Sequence, residues 1–250
     1  MITSKNKIMD WLTTAKKAAL LAGAFLKKRK QSSVKVDAES VHDVKIAADL
    51  EAEDIILDYL KKRSNFSILS EENGLFVGKR RQYTWIVDPL DGSLNYLRGI
   101  PLSCVSIGLW QGESPVLGVV YEFNRSELFS GIVGKGAWLN NRPLKVSATA
   151  QKQKAVLCTG FPVNTDFSPG NIRAFAEDIR SYKKIRLLGS AAISIAYVAS
   201  GRADAYHEKD IMFWDVAGGI PILLGAGGKL NMKKASKPDS YHIYASNGRL

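Results

Sequence analysis

Thiols and imidazoles are scarce in this chain, which has 2 cysteines and 3 histidines in 250 residues. Cys104 and Cys158 stand in apolar β-like runs, Cys104-Val105-Ser106-Ile107 and Val156-Leu157-Cys158. Buried free thiols are the ordinary occupants of such runs, and so few of them exclude a disulfide-stapled scaffold. His42, His207 and His242 are far apart and lack the spacing of zinc ligands. The chain has no Gly-x-Ser-x-Gly elbow and no Ser-His-Asp order, so nothing in it argues for covalent serine chemistry. No apolar run could span a bilayer; the longest candidate, 18–26, continues a helical pattern. No signal segment, Pro/Ser-rich linker or internal repeat is evident in the chain either. These absences predict one domain over residues 1–250, placed in the cytoplasm and away from membranes.

Against them stands one acid-bearing segment, Trp85-Ile86-Val87-Asp88-Pro89-Leu90-Asp91-Gly92-Ser93-Leu94-Asn95-Tyr96. A β-rich run, 83–87, delivers Asp88 and Asp91. Gly92, Ser93 and Asn95 then open a helix or turn. Carboxylates at a strand end beside unpaired backbone N–H groups suit a hard cation and a phosphate together. Two acids this close repel unless neutralised, and a divalent metal is the natural partner. Taken alone, Asp-Pro and Asp-Gly also read as a surface turn. Two further features tip the balance. Glu71-Glu72 follow the apolar run 66–69, and Asp215 follows Phe213-Trp214 at the start of a helical pattern. Acids at the ends of three buried-looking elements are not what packing alone would place there.

Periodicity predicts helices over 6–29 and 46–60, the second carrying Asp49, Glu51, Glu53 and Asp54. Most of those acids read as a solvated helix face. From 102 to 146 the period falls to two, with strands at 105–109, 116–121 and 127–132 in an antiparallel meander and a tight turn at Asn140-Asn141. Then come a strand at 155–159, a helix at 171–181, a strand at 184–187, a helix at 191–200, a strand at 203–207 and a helix at 214–225. Such alternation implies a layered α/β arrangement. The run Lys27-Lys28-Arg29-Lys30 fits the C-terminal end of the first helix, where positive charge is favourable.

In their order along the chain these motifs resemble those of the inositol monophosphatase family of metal-dependent sugar-phosphate phosphatases. Asp88 to Tyr96 is similar to its first signature, with Ser93 where threonine is commonest. Trp214-Asp215-Val216-Ala217-Gly218-Gly219 is similar to its second, with Gly218 where alanine is usual. Leu69-Ser70-Glu71-Glu72 resembles its paired-acid segment, and Gly189-Ser190-Ala191-Ala192 the stretch before the second signature. The likeness runs from about Val41 to Gly228. It implies alternating layers of helices and two β-sheets. It implies two or three Mg²⁺ ions per site. Glu71, Asp88 and the Leu90 carbonyl would hold one; Asp88, Asp91 and Asp215 would hold a second; a third, mostly water-bound, would lie near Glu71. It further implies that Asp49 and Ser93 orient the attacking water, and that Asp91, Gly92, Ser93, Ala191, Glu208 and Asp215 contact phosphate or substrate. Read without the resemblance, Glu208 is a surface acid on a loop. The departures are Ile46 where the family has threonine, a loop lysine that Lys35 matches poorly in its spacing to Asp43, and the stretch after Tyr244-Ala245-Ser246-Asn247, where relatives continue into a last helix.

The resemblance implies a phosphoric monoester hydrolase, inhibited by Li⁺ and homodimeric, acting on a small anionic sugar or polyol phosphate. Leu94-Asn95-Tyr96 resembles the inositol and fructose branches, so inositol 1-phosphate is the first expectation. Fructose 1,6-bisphosphate, 3′-phosphoadenosine 5′-phosphate and histidinol phosphate are the alternatives. A different class is a regulatory protein that touches RNA or the transcription machinery, as some bacterial relatives do. Its motivation is charge: 35 Lys+Arg against 24 Asp+Glu leave +11. Against it stand the full acidic set, the scattering of the lysines and the lack of an Arg-rich, stacking-aromatic motif.

Overall fold

A computed structural model of the chain describes residues 2–29, 36–39, 44–161 and 165–250, with backbone alone for 2–6, 36–39 and 44–46. Lys35, His42 and Asp43 lie outside the described residues, and of Ile46 only the backbone is described. Helix α1 (Ile2–Lys28) ends on Lys27 and Lys28, and its Leu26 carbonyl accepts the Tyr96 hydroxyl at 2.9 Å. A short hairpin, β1 (Val36–Glu39) with β2 (Val44–Ile46), leads into α2 (Ala47–Arg63). Then come β3 (Phe66–Ser70), β4 (Gly74–Phe76), β5 (Arg80–Asp91) and a one-turn helix, α3 (Ser93–Leu97). The meander is β6 (Cys104–Gln111), β7 (Ser114–Glu122), β8 (Glu127–Ile132), β9 (Gly136–Leu139) and β10 (Arg142–Pro143). Asn140 and Asn141 join the last two with φ of 46° and 67°, a two-residue hairpin turn.

The second half alternates as its sequence predicts: β11 (Val156–Thr159), α4 (Pro169–Ile179), β12 (Lys184–Leu187), α5 (Ala191–Ala199) and β13 (Ala205–Met212). Three differences matter for the site. The predicted helix 214–225 is two, α6 (Phe213–Ala217) and α7 (Gly219–Gly225), meeting at Gly218. Strand β5 runs on to Asp91, so both acids belong to the sheet. Strand β13 continues to Met212, which takes Glu208 out of a loop and into a buried ladder position. The closing hairpin, β14 (Lys229–Lys234) and β15 (Ser240–Ser246), has no counterpart in the periodicity reading.

Eight strands form one sheet in the order β10-β9-β8-β7-β6-β5-β3-β4, and five form another in the order β12-β11-β13-β15-β14. All pairings are antiparallel except β3 with β5 and β11 with both its neighbours. Helices α1 and α2 cover one face of the large sheet, where Leu12, Ala19, Ile56 and Leu60 pack on Trp85, Val87 and Ile107. Helices α5, α6 and α7 fill the space between the two sheets, with Ile193, Ile195, Val216, Ile220 and Leu223 against Phe129, Tyr206 and Ile243. The anticipated layers of helices and two sheets are thus present. No helix of the described residues is long and apolar enough to cross a membrane.

The middle layer sits very close to the large sheet. Gly108, Gly118 and Gly131 are cross-strand neighbours on β6, β7 and β8. A Cβ at these positions would lie 2.4 Å from the Ala217 carbonyl oxygen, 2.0 Å from that of Gly218 and 2.5 Å from the Ile222 Cα. The three glycines form a trough in which the α6–α7 backbone lies, and Trp110 Nε1 donates to the Ala217 carbonyl at 3.1 Å from its edge. Overpacking a tight contact costs about 1–3 kcal/mol and sometimes more. Gly118→Ala should therefore destabilise by about 3 kcal/mol in urea denaturation. Gly170→Ala in α4, whose Cβ would meet open space, should be neutral or stabilise by up to about 1 kcal/mol. Equal stability of the two variants would show that the trough does not constrain packing.

Candidate active site

Strand β5 carries the first two acids to the end of the large sheet. Its partner β6 pairs regularly up to Asp88 opposite Ser106, then the register slips before Asp91 opposite Cys104. That irregularity, with Pro89 between, lets Asp88 and Asp91 sit near each other although a plain strand would space them apart. Asp88 is 1% exposed and Asp91 9% exposed. The Leu90 N–H donates to Asp88 Oδ1 at 3.0 Å. Gly92 follows with φ 90° and ψ 41° as the N-cap of α3. A Cβ there would lie 2.8 Å from the Leu102 carbonyl oxygen, so glycine is required both by conformation and by close approach. The first N–H groups of α3 have no partner within the helix.

The other acids come from separate elements. Glu71 follows β3, the parallel neighbour of β5, and its N–H donates to the Val87 carbonyl at 3.2 Å. Asp215 lies in the first turn of α6; both are half-buried. Helix α5 meets Asp91 end-on. Asp91 Oδ2 accepts Ser190 Oγ at 2.6 Å and the Ala192 N–H at 2.7 Å, and the Ala191 N–H also acts on this carboxylate. Ala191, expected at the substrate, thus holds a neighbouring acid through its backbone.

Asp49 and Ser93, 44 residues apart, are brought together: Ser93 Oγ lies 3.2 Å from Asp49 Oδ1 and 2.9 Å from the Leu90 carbonyl oxygen. Asp49 is buried on the inner face of α2. Glu208 is also buried, and its Oε2 accepts the Tyr206 hydroxyl at 2.9 Å. A Cβ on Gly160 would lie 2.6 Å from the same oxygen. The surface-acid expectation for Glu208 is therefore overturned: β13 carries it inward, where it acts on Asp91 and Asp215.

Electrostatics ties these acids into one group. Burial pushes Asp88 well above the usual carboxylate range, and repulsion from Glu71, Asp91 and Asp215 pushes it further. Asp215 is raised in the same way, by burial and then by Glu71, Asp91 and Glu208. Burial lifts Asp91 to about 6 against the opposing hydrogen bonds of Ser190, Ala192 and Ala191. Burial, then Asp91, lifts Glu208 to about 7 despite its Tyr206 bond. Among the described residues Asp88, Asp91 and Asp215 make no ion pair. Nor do any three His, Cys, Asp or Glu side chains there close round one point as a finished metal cage would. Protein donors turn one oxygen each of Asp88 and Asp91 aside, and the other oxygens remain for a ligand. Buried, mutually repelling, oxygen-only donors fit a hard divalent cation, which would remove the repulsion that raises them.

The other sequence candidates fall outside this group. Both cysteines are free and buried. Burial pushes the Cys104 thiol far up and the Cys158 thiol to about 12, so neither supplies a thiolate. His207 stacks edge-on to Tyr244, and His242 Nδ1 accepts the Asp210 N–H. Two contributors escaped the sequence reading. Glu53, taken as part of a solvated face, is fully buried beneath the 70–73 turn; an acid four residues after Asp49 was the available signal. Asn95 Nδ2 donates to the carbonyls of Leu102 and Leu188, each at 2.8 Å, and so ties the first signature to the segment before α5.

Comparison with known proteins agrees with this architecture. The profile described as "Inositol monophosphatase family" matches residues 8–246. Over all of this chain and 88% of the relative, it is 38% identical to an inositol-1-monophosphatase of Synechocystis sp.. It is 39% identical to a Nus factor SuhB of Xylella fastidiosa, over 89% of this chain and 82% of that one. The solved structure of an inositol monophosphatase from Anabaena (Nostoc) sp. superposes with a TM-score of 0.85 at 36% identity, covering 97% of this chain and 92% of the other. That family is metal-dependent, generally on Mg²⁺, and acts on small phosphate substrates. With the motifs, the layered fold and the acid group all in agreement, this chain belongs to the inositol monophosphatase family and is a phosphoric monoester hydrolase.

Proposed function

We propose that this protein hydrolyses a small, hydroxyl-rich sugar or polyol phosphate, inositol 1-phosphate first, with two or three Mg²⁺ per site. The observation that carries the reading is the Ser93–Asp49 contact of 3.2 Å beside the repelling acids Asp88, Asp91 and Asp215. Glu71, Asp88 and the Leu90 carbonyl would hold one ion, and Asp88, Asp91 and Asp215 a second, with a third near Glu71. The bound ions supply positive charge that acidifies a water and stabilises the departing alkoxide. Everything else falls to the chain. Ser93 has one proton to give, to Asp49 or to the Leu90 carbonyl, and its oxygen lone pairs remain to accept a water O–H. Asp49 takes the proton that the water loses as its oxygen bonds to phosphorus. The bond from phosphorus to the sugar oxygen breaks, and that oxygen leaves as an alcohol by taking a proton from solvent water. Gly92 and the unpaired N–H groups of α3 face the phosphate. Glu208 accepts from substrate hydroxyls and disfavours a second phosphate placed near it.

A second reading is a regulatory binding role, favoured by the likeness to proteins named Nus factor SuhB and by the charge of +11. An Asp91→Asn variant that fully preserves a cellular phenotype of the gene would select that reading.

Four outcomes test the enzymatic reading. Chelation should abolish phosphate release and Mg²⁺ should restore it. Asp91→Asn should cost several kcal/mol of transition-state stabilisation, while its amide oxygen can still accept from Ser190 and Ala192 and keep the fold. Near-normal turnover by folded Asp91→Asn would refute the site. Ser93→Ala and Asp49→Asn should each lower kcat about 100-fold or more with smaller effects on KM. The double variant should be little worse than the poorer single one, whereas multiplicative losses would mean that the two groups act apart. Glu208→Ala should weaken kcat/KM for inositol 1-phosphate about tenfold, the worth of a charge-assisted hydrogen bond. It should leave p-nitrophenyl phosphate nearly unchanged, and equal losses on both would assign Glu208 to the fold alone.

A further inference from the structure

The turn that carries Glu71 is fastened to α2 by a buried carboxylate with no part in the reaction above. Glu53 is 0% exposed. Its Oε1 accepts Ser70 Oγ at 2.8 Å, the Asn73 N–H at 3.0 Å and Asn73 Nδ2 at 2.7 Å. Its Oε2 accepts the Glu72 N–H at 3.0 Å. The donors sit on residues 70, 72 and 73, on both sides of Glu71. The Glu71 N–H itself is held by the Val87 carbonyl of β5 at 3.2 Å. Backbone bonds therefore fix residue 71 from the sheet side, and Glu53 fixes its neighbours from the helix side.

Glu53 lies one helical turn beyond Asp49 on the same buried face of α2. One rigid helix thus sets the acid that meets Ser93 and also the turn that bears Glu71. All four partners of Glu53 are neutral donors, and a carboxylate alone accepts at both oxygens. In a glutamine one of the two atoms becomes an NH₂ facing a donor, so an isosteric change leaves at least one group opposed.

We infer that Glu53 is a positioning residue: it holds the 70–73 turn so that Glu71 is already aimed when Mg²⁺ arrives. This rests on the proposed role of Glu71 as a metal ligand. A turn left loose would have to be ordered by the ion itself, at the expense of ion affinity. Supporting shells of this kind typically change metal affinity by 10–100-fold.

The test uses the full chain without substrate. Mg²⁺ is titrated calorimetrically, alongside circular dichroism to check folding. Glu53→Gln should weaken Mg²⁺ binding about tenfold or more. At saturating Mg²⁺ its kcat should recover to within about threefold, with substrate KM unchanged. Glu53→Asp, which keeps the acceptors on a shorter arm, should restore part of the affinity. Glu53→Gln should add little to Glu71→Gln, because both act through one ligand. An Mg²⁺ affinity of Glu53→Gln within twofold of the wild type would overturn the inference, as would fully additive losses in the double variant. Should Glu53→Gln fail to fold, Asn73→Ala and Ser70→Ala remove single donors from the same clamp, and unchanged Mg²⁺ affinity in both would overturn it equally. A wild-type chain that binds no Mg²⁺ and releases no phosphate would instead refute the proposed function and this inference with it, whereas an active wild type with an unaffected Glu53→Gln refutes this inference alone.

Discussion

Acidic side chains held close together out of water repel one another, and much of this fold is arranged to keep four of them in place. Asp88, Asp91 and Asp215 are each raised by burial, and Asp88 and Asp215 further by other acids of the group. Left to themselves they would protonate or swing toward solvent. Each is restrained by donors that belong to the framework: the Leu90 N–H for Asp88, the α5 N-terminus and Ser190 for Asp91, and the backbone before α6 for Asp215. These donors are neutral. They fix direction without cancelling charge, so the group stays receptive to a cation.

The two sheets and the two helical layers packed on them act as one jig around that point. The parallel pairing of β3 with β5 brings Glu71 beside Asp88. The glycine trough on β6, β7 and β8 lets α6 and α7 approach until Asp215 reaches the end of β5. Helix α2, packed on the opposite face of the large sheet, reaches over with Asp49 for Ser93 and with Glu53 for the 70–73 turn. No single element carries the site. Bare glycine stands where backbone meets backbone because a methyl group at Gly108, Gly118 or Gly131 would run into the α6–α7 backbone.

What could be read in the sequence follows from this division of labour. Local signals were plain: the helical spacing of α1 and α2, the period-two meander, the Asn140-Asn141 turn and the paired acids of β5. The acids that the fold gathers into the candidate site were legible as a pattern because they sit in short motifs at element ends. Properties set by long-range contact were not. Glu53 looks like its solvated neighbours Glu51 and Asp54 until β3 is laid beside α2. Glu208 looks like a loop acid because the extension of β13 depends on pairing with β15, where Glu208 faces Ile243 and Met212 faces Ser240. Asn95 and Tyr96, which resemble a substrate-branch marker, make their hydrogen bonds to framework carbonyls, Leu102 and Leu188 for one and Leu26 for the other. The break between α6 and α7 is likewise invisible to periodicity: Gly218 keeps helical angles at the junction, but Pro221 has no N–H for the Ala217 carbonyl, which accepts from Trp110 Nε1 instead.

The charge distribution sets an order of events. The chain as a whole carries +11, so its field draws phosphates inward and raises their local concentration. The site they reach is the reverse, a knot of carboxylates that repels a dianion at short range, where screening by salt is weakest. Attraction at a distance and repulsion on contact are reconciled only when positive charge stands between the acids and the phosphate. Cation and substrate therefore favour each other's binding, and by linkage the coupling is the same in both directions. A surface built solely to bind an anionic partner would have no use for buried acids at its centre. Their presence beneath a cationic exterior is the physical ground on which hydrolysis, rather than simple anion binding, is the better account of this chain.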